Sequence, residues 1–515
     1  MAARLLNDPD IGFGEMHQHW IGASTWRWTR TLNRHDIESE AAERPAVHHD
    51  LVFHGVDTIA EVHLGGVLLG KTDDQHVRYR WPLPPADGGY ADVSDDPEEL
   101  SVTIHPVYPV ALKAQEQVGP LPRPYTVPYP YVRKSACNFG WDWGPSYLTA
   151  GIWRPVELQS YGRGRIESLR VLSGTQGTDD HLVAAISVAA DLHCPEDIDG
   201  LSMRVTVRGP DGSTCVTETA AAQPCADGAT QAQVDVSIEA PAVWQPVGYG
   251  NQPLYDVLVE LVLHEQVLHS ETRRTGLRTT EVHEPRDSQG QRWHLVINGR
   301  RIRVRGYNWI PDDPFIAEVT PARTRRRLDQ AVAGGANMIR VWGGGYVVDE
   351  DFMAACDERG LLVWHDFMFA CSAYDESPQM LAKITMEAEQ AVTALSPHPS
   401  LVLWCGGNEC VWGWHSWDWQ PELGGRSWGS AHLRRTPAGR GGPVGSRTAL
   451  HRQQPVVRRG GPRPVRSSTR PGPPVGAVER RRLRPLPQRR PGVRLGDGLV
   501  CPASLDHPST RCAAG

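Results

Sequence analysis

Glu409 is the residue whose type and position best suit proton transfer, because Gly406-Gly-Asn-Glu follows directly on the apolar run Leu401-Val-Leu-Trp-Cys. An apolar strand that stops at glycines delivers the next side chains to the end of a sheet. A carboxyl group there, partly screened from water by Trp404 and Trp412, is expected to keep its proton longer than one in bulk solvent, as a general acid requires. The bland alternative is a glutamate that caps a helix or sits in a surface salt bridge. Three other predicted strands are followed by comparable residues: Asn308 and Trp309 after the first, Trp342 and a triple glycine after the second, His365, Asp366 and Phe367 after the third, with Asn408 beside Glu409 after the fourth. Carboxylates, amides and indoles around one mouth suit a sugar ring, whose hydroxyls need hydrogen bonds and whose C–H face packs on indole. Asp366 is open to two readings, a second reactive carboxylate or a structural one. No Gly-Lys-Ser/Thr follows the glycines after Trp342, so a phosphate loop is weakly supported.

The elements that must position these residues follow from the period of the sequence. From about residue 300 a strand alternates with a helix: Arg301-Ile-Arg-Val-Arg-Gly, then a helix opened by Thr320 and Pro321 and closed at Gly334-Gly335, then Met338-Ile-Arg-Val-Trp. A helix from Asp349 to Gly360, the strand Leu361-Leu-Val-Trp-His-Asp, a helix over about Met380 to Leu395 and Leu401-Val-Leu-Trp-Cys complete the series. Apolar strands between amphipathic helices predict a parallel sheet covered on its outside, and four such units make half of an eight-unit TIM barrel, whose reactive groups stand at the strand ends. Before them the chain reads as strands only. Residues 1–163, with the Gly65-Gly66 hairpin signal, predict a jelly-roll β-sandwich, and 164–283, with Met203-Arg-Val-Thr-Val before the turn Pro210-Asp-Gly, an immunoglobulin-like β-sandwich. The partial barrel then occupies 284–424 and an irregular tail 425–515.

Composition sets the outer limits. The chain has 515 residues, 40% of them hydrophobic, which suits several soluble domains. No apolar run reaches signal-peptide or membrane-span length, so the expectation is a cytoplasmic protein without a membrane partner. Ten cysteines are scattered without CxxC pairs, and Cys405 and Cys410 lack neighbouring ligand types, so reduced buried thiols and no metal are expected. The net charge of -7 conceals a division: residues 425–515 hold 19 Arg, no Lys and three acids, leaving the first 424 residues at -23.

Six segments in order resemble the β-mannosidases of glycoside hydrolase family 2: Asn138-Phe-Gly-Trp-Asp-Trp-Gly-Pro, Gly151-Ile-Trp-Arg-Pro-Val, Trp244-Gln-Pro-Val-Gly-Tyr-Gly-Asn-Gln-Pro-Leu-Tyr, Arg305-Gly-Tyr-Asn-Trp-Ile-Pro, Asn337-Met-Ile-Arg-Val-Trp-Gly-Gly-Gly and Gly406-Gly-Asn-Glu. The resemblance covers about residues 4–429, without the family's usual first strands before Arg4. It implies exo-acting, retaining hydrolysis of terminal β-mannose from oligosaccharides, with no cofactor. In that mechanism one glutamate protonates the glycosidic oxygen while a second attacks the anomeric carbon. Glu409 matches the acid/base, Asn408 the partner of the 2-hydroxyl, and Trp342 and Trp417 the walls of the mannose site. Asp142, on the Trp-Asp-Trp-Gly loop, matches a residue that reaches sugar hydroxyls from the first domain. That loop separates mannosidases from the family's galactosidases and glucuronidases, which stand as the enzyme alternative.

The family's nucleophile lies in a Ser-Glu-x-Gly motif, and no such motif follows Glu409. The sequence therefore reads as a barrel cut half-way, inactive, with an unpaired sheet edge; a non-catalytic carbohydrate-binding remnant is the alternative from another class. Some codon choices for Val493-Arg-Leu-Gly-Asp-Gly-Leu-Val, read one base later, spell Phe-Val-Ser-Glu-Met-Gly-Trp, which predicts a frameshift near residue 430. The competing expectation is a genuine basic arm that binds nucleic acid and responds to salt. Tail composition, without Lys, Tyr or Phe, favours the frameshift and no nucleic-acid partner.

Overall fold

The computed structural model describes residues 8–32, 48–83, 98–177, 181–194, 199–225, 229–288, 290–432, 449–451 and 499–500. The incomplete start expected before Arg4 lies outside them, as does most of the expected tail.

Gly65 and Gly66 sit at φ 55° and 82°, the left-handed pair that a two-residue hairpin demands, and they join Ile59–Leu64 to Val67–Thr72 antiparallel. These strands belong to a four-stranded sheet ordered Trp26–Leu32, Glu98–His105, Ile59–Leu64, Val67–Thr72, while Tyr79–Pro82, His48–Phe53 and Val156–Tyr161 form a second sheet. Leu51, Phe53, Val62, Val102 and Ile104 fill the space between the two. Alternation is stricter in the next unit: every second residue of Val183–His193 is buried. Two four-stranded antiparallel sheets there enclose Ile186, Met203, Val205, Val234 and Leu261, giving an immunoglobulin-like sandwich.

The strand expected at Arg301–Gly306 divides. Asn298 and Gly299 take φ 49° and 71° and fold Arg300–Ile302 back on His294–Ile297 as a hairpin, so the first parallel strand begins only at Gly306. Asn-Gly is the strongest short hairpin signal, and it outweighs continuation of the strand. From there Gly306–Trp309, Met338–Val341, Leu362–Asp366 and Leu401–Cys405 lie parallel in chain order, linked by helices Pro321–Ala333, Glu350–Arg359 and Pro378–Leu395. Thr320, Asp349 and Ser377 each accept a backbone N–H at a helix start, and Gly360 ends the second helix at φ 71°. All five residues of the third and of the fourth strand are buried, as expected of a parallel sheet covered on both faces.

The edges of this sheet differ from the expected bare ones. Ala449–His451 pairs parallel with Leu403–Cys405, and Leu499–Val500 pairs antiparallel with Asn308–Trp309. An open edge presents a row of unpaired N–H and C=O groups, and short segments of the basic tail satisfy part of it.

The units are held together by buried polar contacts. Arg133 of the first sandwich grips Glu387 with Nη2 at 2.7 Å and Nε at 2.9 Å, and Nη2 also donates to the Met368 carbonyl at 2.9 Å. On the second sandwich, Trp244 Nε1 donates to the Asp357 carbonyl at 2.9 Å and Arg278 Nε to the Pro399 carbonyl at 2.9 Å.

Candidate active site

An arginine inside an apolar strand organises the strand ends. Arg340 donates to Asp366 Oδ2 at 2.6 Å and to Asn408 Oδ1 at 2.9 Å, joining the second, third and fourth strands. Asp366 is fully buried and also accepts from Trp364 Nε1 at 3.0 Å and the Gly343 amide at 3.2 Å. Burial raises its pKa while Arg340 opposes the rise. These partners make Asp366 a structural carboxylate, one of the two readings open from sequence. His365 is equally buried, with its pKa lowered to about 4 by desolvation, and its Nδ1 lies 2.7 Å from the Asp366 carbonyl. It is neutral at ordinary pH and packs on Trp404.

Asn408 and Glu409 stand where the fourth strand gives way to the helix Cys410–Ser416. Glu409 is half-buried, takes the left-handed conformation at φ 60°, and occupies the N-cap position without a side-chain capping bond. Its carboxylate instead accepts from the Cys371 thiol at 3.0 Å, and no salt bridge to it occurs among the described residues. The same sulfur accepts from Asn408 Nδ2 at 3.1 Å, while the Cys371 amide donates to the Asn408 carbonyl at 2.8 Å. Burial and the nearby Glu409 charge push the Cys371 thiol far up, so it stays protonated and able to donate. Of the two indoles expected to screen Glu409, Trp404 stacks on Phe367 at 4.8 Å, and Trp412, on the helix that Glu409 begins, is 52% exposed.

Trp342 joins this group through Cys371. It is buried with Cys371, Cys137 and Ala370, and Trp417, Trp141 and Ile310 pack against that cluster. A Cβ at Gly344 would stand 2.0 Å from the Trp342 ring, so the glycines after Trp342 make room for the indole to fold over its own loop. Asp142 arrives from the first sandwich. Trp141 and Gly144 exchange backbone hydrogen bonds at 3.1 and 3.2 Å, which leaves Asp142 and Trp143 at the tip of a tight turn. Trp141 and Trp143 meet Trp342 edge-on at 4.9 and 5.6 Å, and this places exposed Asp142 at the rim beside the Trp342 wall. The Asp142 amide donates to Tyr125 Oη at 3.1 Å, and burial together with the Asp142 charge raises the Tyr125 pKa.

Glu409, Asn408, Trp342 and Trp417 thus share one cluster of contacts, with Asp142 on the loop packed against it. Sequence reasoning passed over Cys371, Arg340 and Tyr125. The signal for Arg340 was available, since a cation in the middle of Met338-Ile-Arg-Val needs a buried partner. No group of His, Cys, Asp and Glu with metal-binding geometry occurs among the described residues. A cleft of about 1230 Å³ opens where the three units meet, lined by His54, Arg78, Glu167, Arg273 and Glu389; it touches Trp342, while Glu409, Asn408 and Asp142 are not among its lining residues.

Residues 1–154 match the family model "Glycosyl hydrolase 2 galactose-binding domain-like" and residues 171–278 match "Glycosyl hydrolases family 2". Beta-mannosidase B of Emericella nidulans is 33% identical over 418 residues, which is 78% of this chain and 46% of that protein. Beta-mannosidase B of Aspergillus niger is 33% identical over 410 residues, again 78% of this chain and 46% of the other. The chain therefore spans about half the length of the curated relatives it matches. Among solved structures, a beta-D-mannosidase from Dictyoglomus thermophilum superposes with a TM-score of 0.76 at 28% identity, over 87% of this chain and 53% of that one. A beta-glucuronidase from Parabacteroides merdae, with a TM-score of 0.56 at 17% identity over 75% of this chain and 43% of that one, shares the fold.

Proposed function

The chain belongs to glycoside hydrolase family 2, with its similarity running to β-mannosidases, and on that premise we propose that its site is built to receive a terminal non-reducing β-mannose. In this reading the parallel sheet is the first half of a (β/α)8 barrel and the sugar lies across its strand ends. Glu409 is the acid/base that protonates the glycosidic oxygen. Asn408, fixed by Arg340 and Cys371, binds the 2-hydroxyl; Trp342 and Trp417 pack on the ring; Asp142 binds hydroxyls from the rim.

The observation that carries the reading is the hydrogen-bonded group of Glu409, Cys371 and Asn408 beside the Trp342 wall. A surface glutamate that merely capped a helix would have no such surroundings. Retaining hydrolysis also needs a second carboxylate about 5–5.5 Å from the first. After Glu409 the sequence contains Glu422 and Glu479 as its remaining glutamates, neither preceded by serine. The residues given accordingly supply mannoside binding and the acid/base, and the attacking carboxylate is not among them.

Two measurements test this. Tryptophan fluorescence should report binding of methyl β-mannoside in preference to methyl β-galactoside or a β-glucuronide, and a chromogenic β-mannoside should not be hydrolysed. Equal binding of all three sugars, or a preference for galactose, overturns the mannoside assignment; steady hydrolysis that survives Glu409→Ala overturns the role of Glu409.

A further inference from the structure

Trp412 lies on the helix that begins at Glu409. The Gly413 amide donates to the Glu409 carbonyl at 2.8 Å and the Trp417 amide to the Gly413 carbonyl at 3.0 Å, so the helical register runs unbroken from the carboxylate to the indoles. Three residues at roughly 1.5 Å rise place Trp412 about one turn beyond Glu409, close to the span of one pyranose ring.

Exposure alone does not single it out, since Trp20 and Trp28 are 49% exposed elsewhere. Support from behind does. Trp417 meets Trp412 at 5.6 Å and is itself braced edge-on by buried Trp419 at 5.6 Å. Gly413 makes that brace possible, because a Cβ there would stand 2.4 Å from the Trp419 ring. Trp417 also packs against the cluster that holds Trp342 and Cys371, so the aromatic wall is continuous from the candidate site to the outward face of Trp412. An indole held in this way is a preorganised apolar platform, and an adjoining neutral sugar gains its contact at little cost in side-chain entropy.

From this arrangement we propose that Trp412 is the stacking platform for the sugar next to the terminal mannose, on the leaving-group side. The direction follows from the chemistry. An acid/base touches the glycosidic oxygen between two sugars; Asn408, Trp342 and Trp417 are assigned to the terminal ring, so the exposed indole that remains on the helix Glu409 begins is assigned to the ring on the oxygen's other side. The ligand class is a neutral β-linked oligosaccharide of at least two hexoses. This inference rests on the reading of Glu409 and the mannose pocket given above.

Fluorescence or calorimetric titration of the full chain with methyl β-mannoside and with a β-linked mannose disaccharide tests it. Trp412→Ala should weaken disaccharide binding by about fivefold to tenfold, the measure of one aromatic contact, and leave the monosaccharide unchanged, with Trp412→Phe between. Trp412 is outward-facing, so an unchanged melting curve verifies that the variant folds. If the disaccharide binds both proteins equally, or both ligands weaken alike, the platform is overturned while the pocket stands. If neither ligand binds the unmodified chain, the mannose pocket is overturned and the platform with it.

Discussion

Glu409 and Asn408 meet through one sulfur atom, since Cys371 donates to the carboxylate and accepts from the amide. Removing it frees both side chains. Cys371→Ala should therefore weaken methyl β-mannoside binding by about fivefold, the worth of one ordinary hydrogen bond, and Cys371→Ser should restore most of it because a hydroxyl both donates and accepts. Identical affinity in the alanine variant, measured by titration, would show that the thiol positions nothing. Asp142 has a larger expected effect, because a bond from a carboxylate to a hydroxyl is charge-assisted: Asp142→Ala should cost about tenfold to a hundredfold in affinity. An unchanged dissociation constant would remove Asp142 from the site. At this scale the sequence was informative where a residue directly follows an apolar run, as Glu409, Asn408 and Trp342 do. Cys371 lies in the loop beyond Asp366, where no periodicity predicts which side chain turns inward, and only coordinates reveal it.

The loop that carries Cys371 is held by a neighbouring element. Arg133 donates to the Met368 carbonyl, lies over the Phe369 ring at 4.8 Å and grips Glu387 of the helix Pro378–Leu395. Both charged side chains are buried. Arg133→Ala would strand the Glu387 carboxylate in a dry environment, so it should destabilise the protein by about 3–5 kcal/mol, whereas Arg133→Met combined with Glu387→Met should recover much of that. Denaturant melts of the two variants decide the matter; equal losses would mean that the pair acts through packing and not through charge. Elements with strong local signals were legible, among them the Gly65-Gly66 hairpin and the helices opened by Thr320 and Asp349. Asn298-Gly299 carries an equally strong hairpin signal in the sequence, one that the expectation of a strand over Arg301–Gly306 left out of account. The pairing of Ala449–His451 and Leu499–Val500 with the sheet edges was not legible, because three- and two-residue strands carry no periodicity.

Over the whole molecule, the second sandwich and the parallel sheet meet around a buried charge. His398 Nδ1 lies 2.6 Å from Asp357 Oδ2 and Nε2 lies 3.2 Å from Glu350 Oε2; the Asp357 carbonyl accepts from Trp244 Nε1, and Thr275 Oγ1 donates to the Pro397 carbonyl at 2.6 Å. Burial works against the imidazolium, but the two carboxylates outweigh it and hold its pKa at about 10. A folded-state pKa raised above the unfolded value near 6.5 contributes stability that is complete below that value, declines as pH rises and is gone above about 10. Other groups titrate in the same alkaline range, so the comparison must be with His398→Gln, which keeps a polar side chain and loses the charge. The unmodified protein should exceed the variant in stability by a margin that is greatest near about pH 5 to 6, shrinks steadily between about pH 7 and 10, and also falls in acid as Glu350, whose pKa His398 lowers against burial, takes up its proton. Chemical denaturation across that range measures the margin. A difference that does not vary with pH would mean that His398 is neutral in the folded protein, and that the junction between sandwich and sheet is held by the carbonyl contacts of Trp244, Thr275 and Arg278 alone.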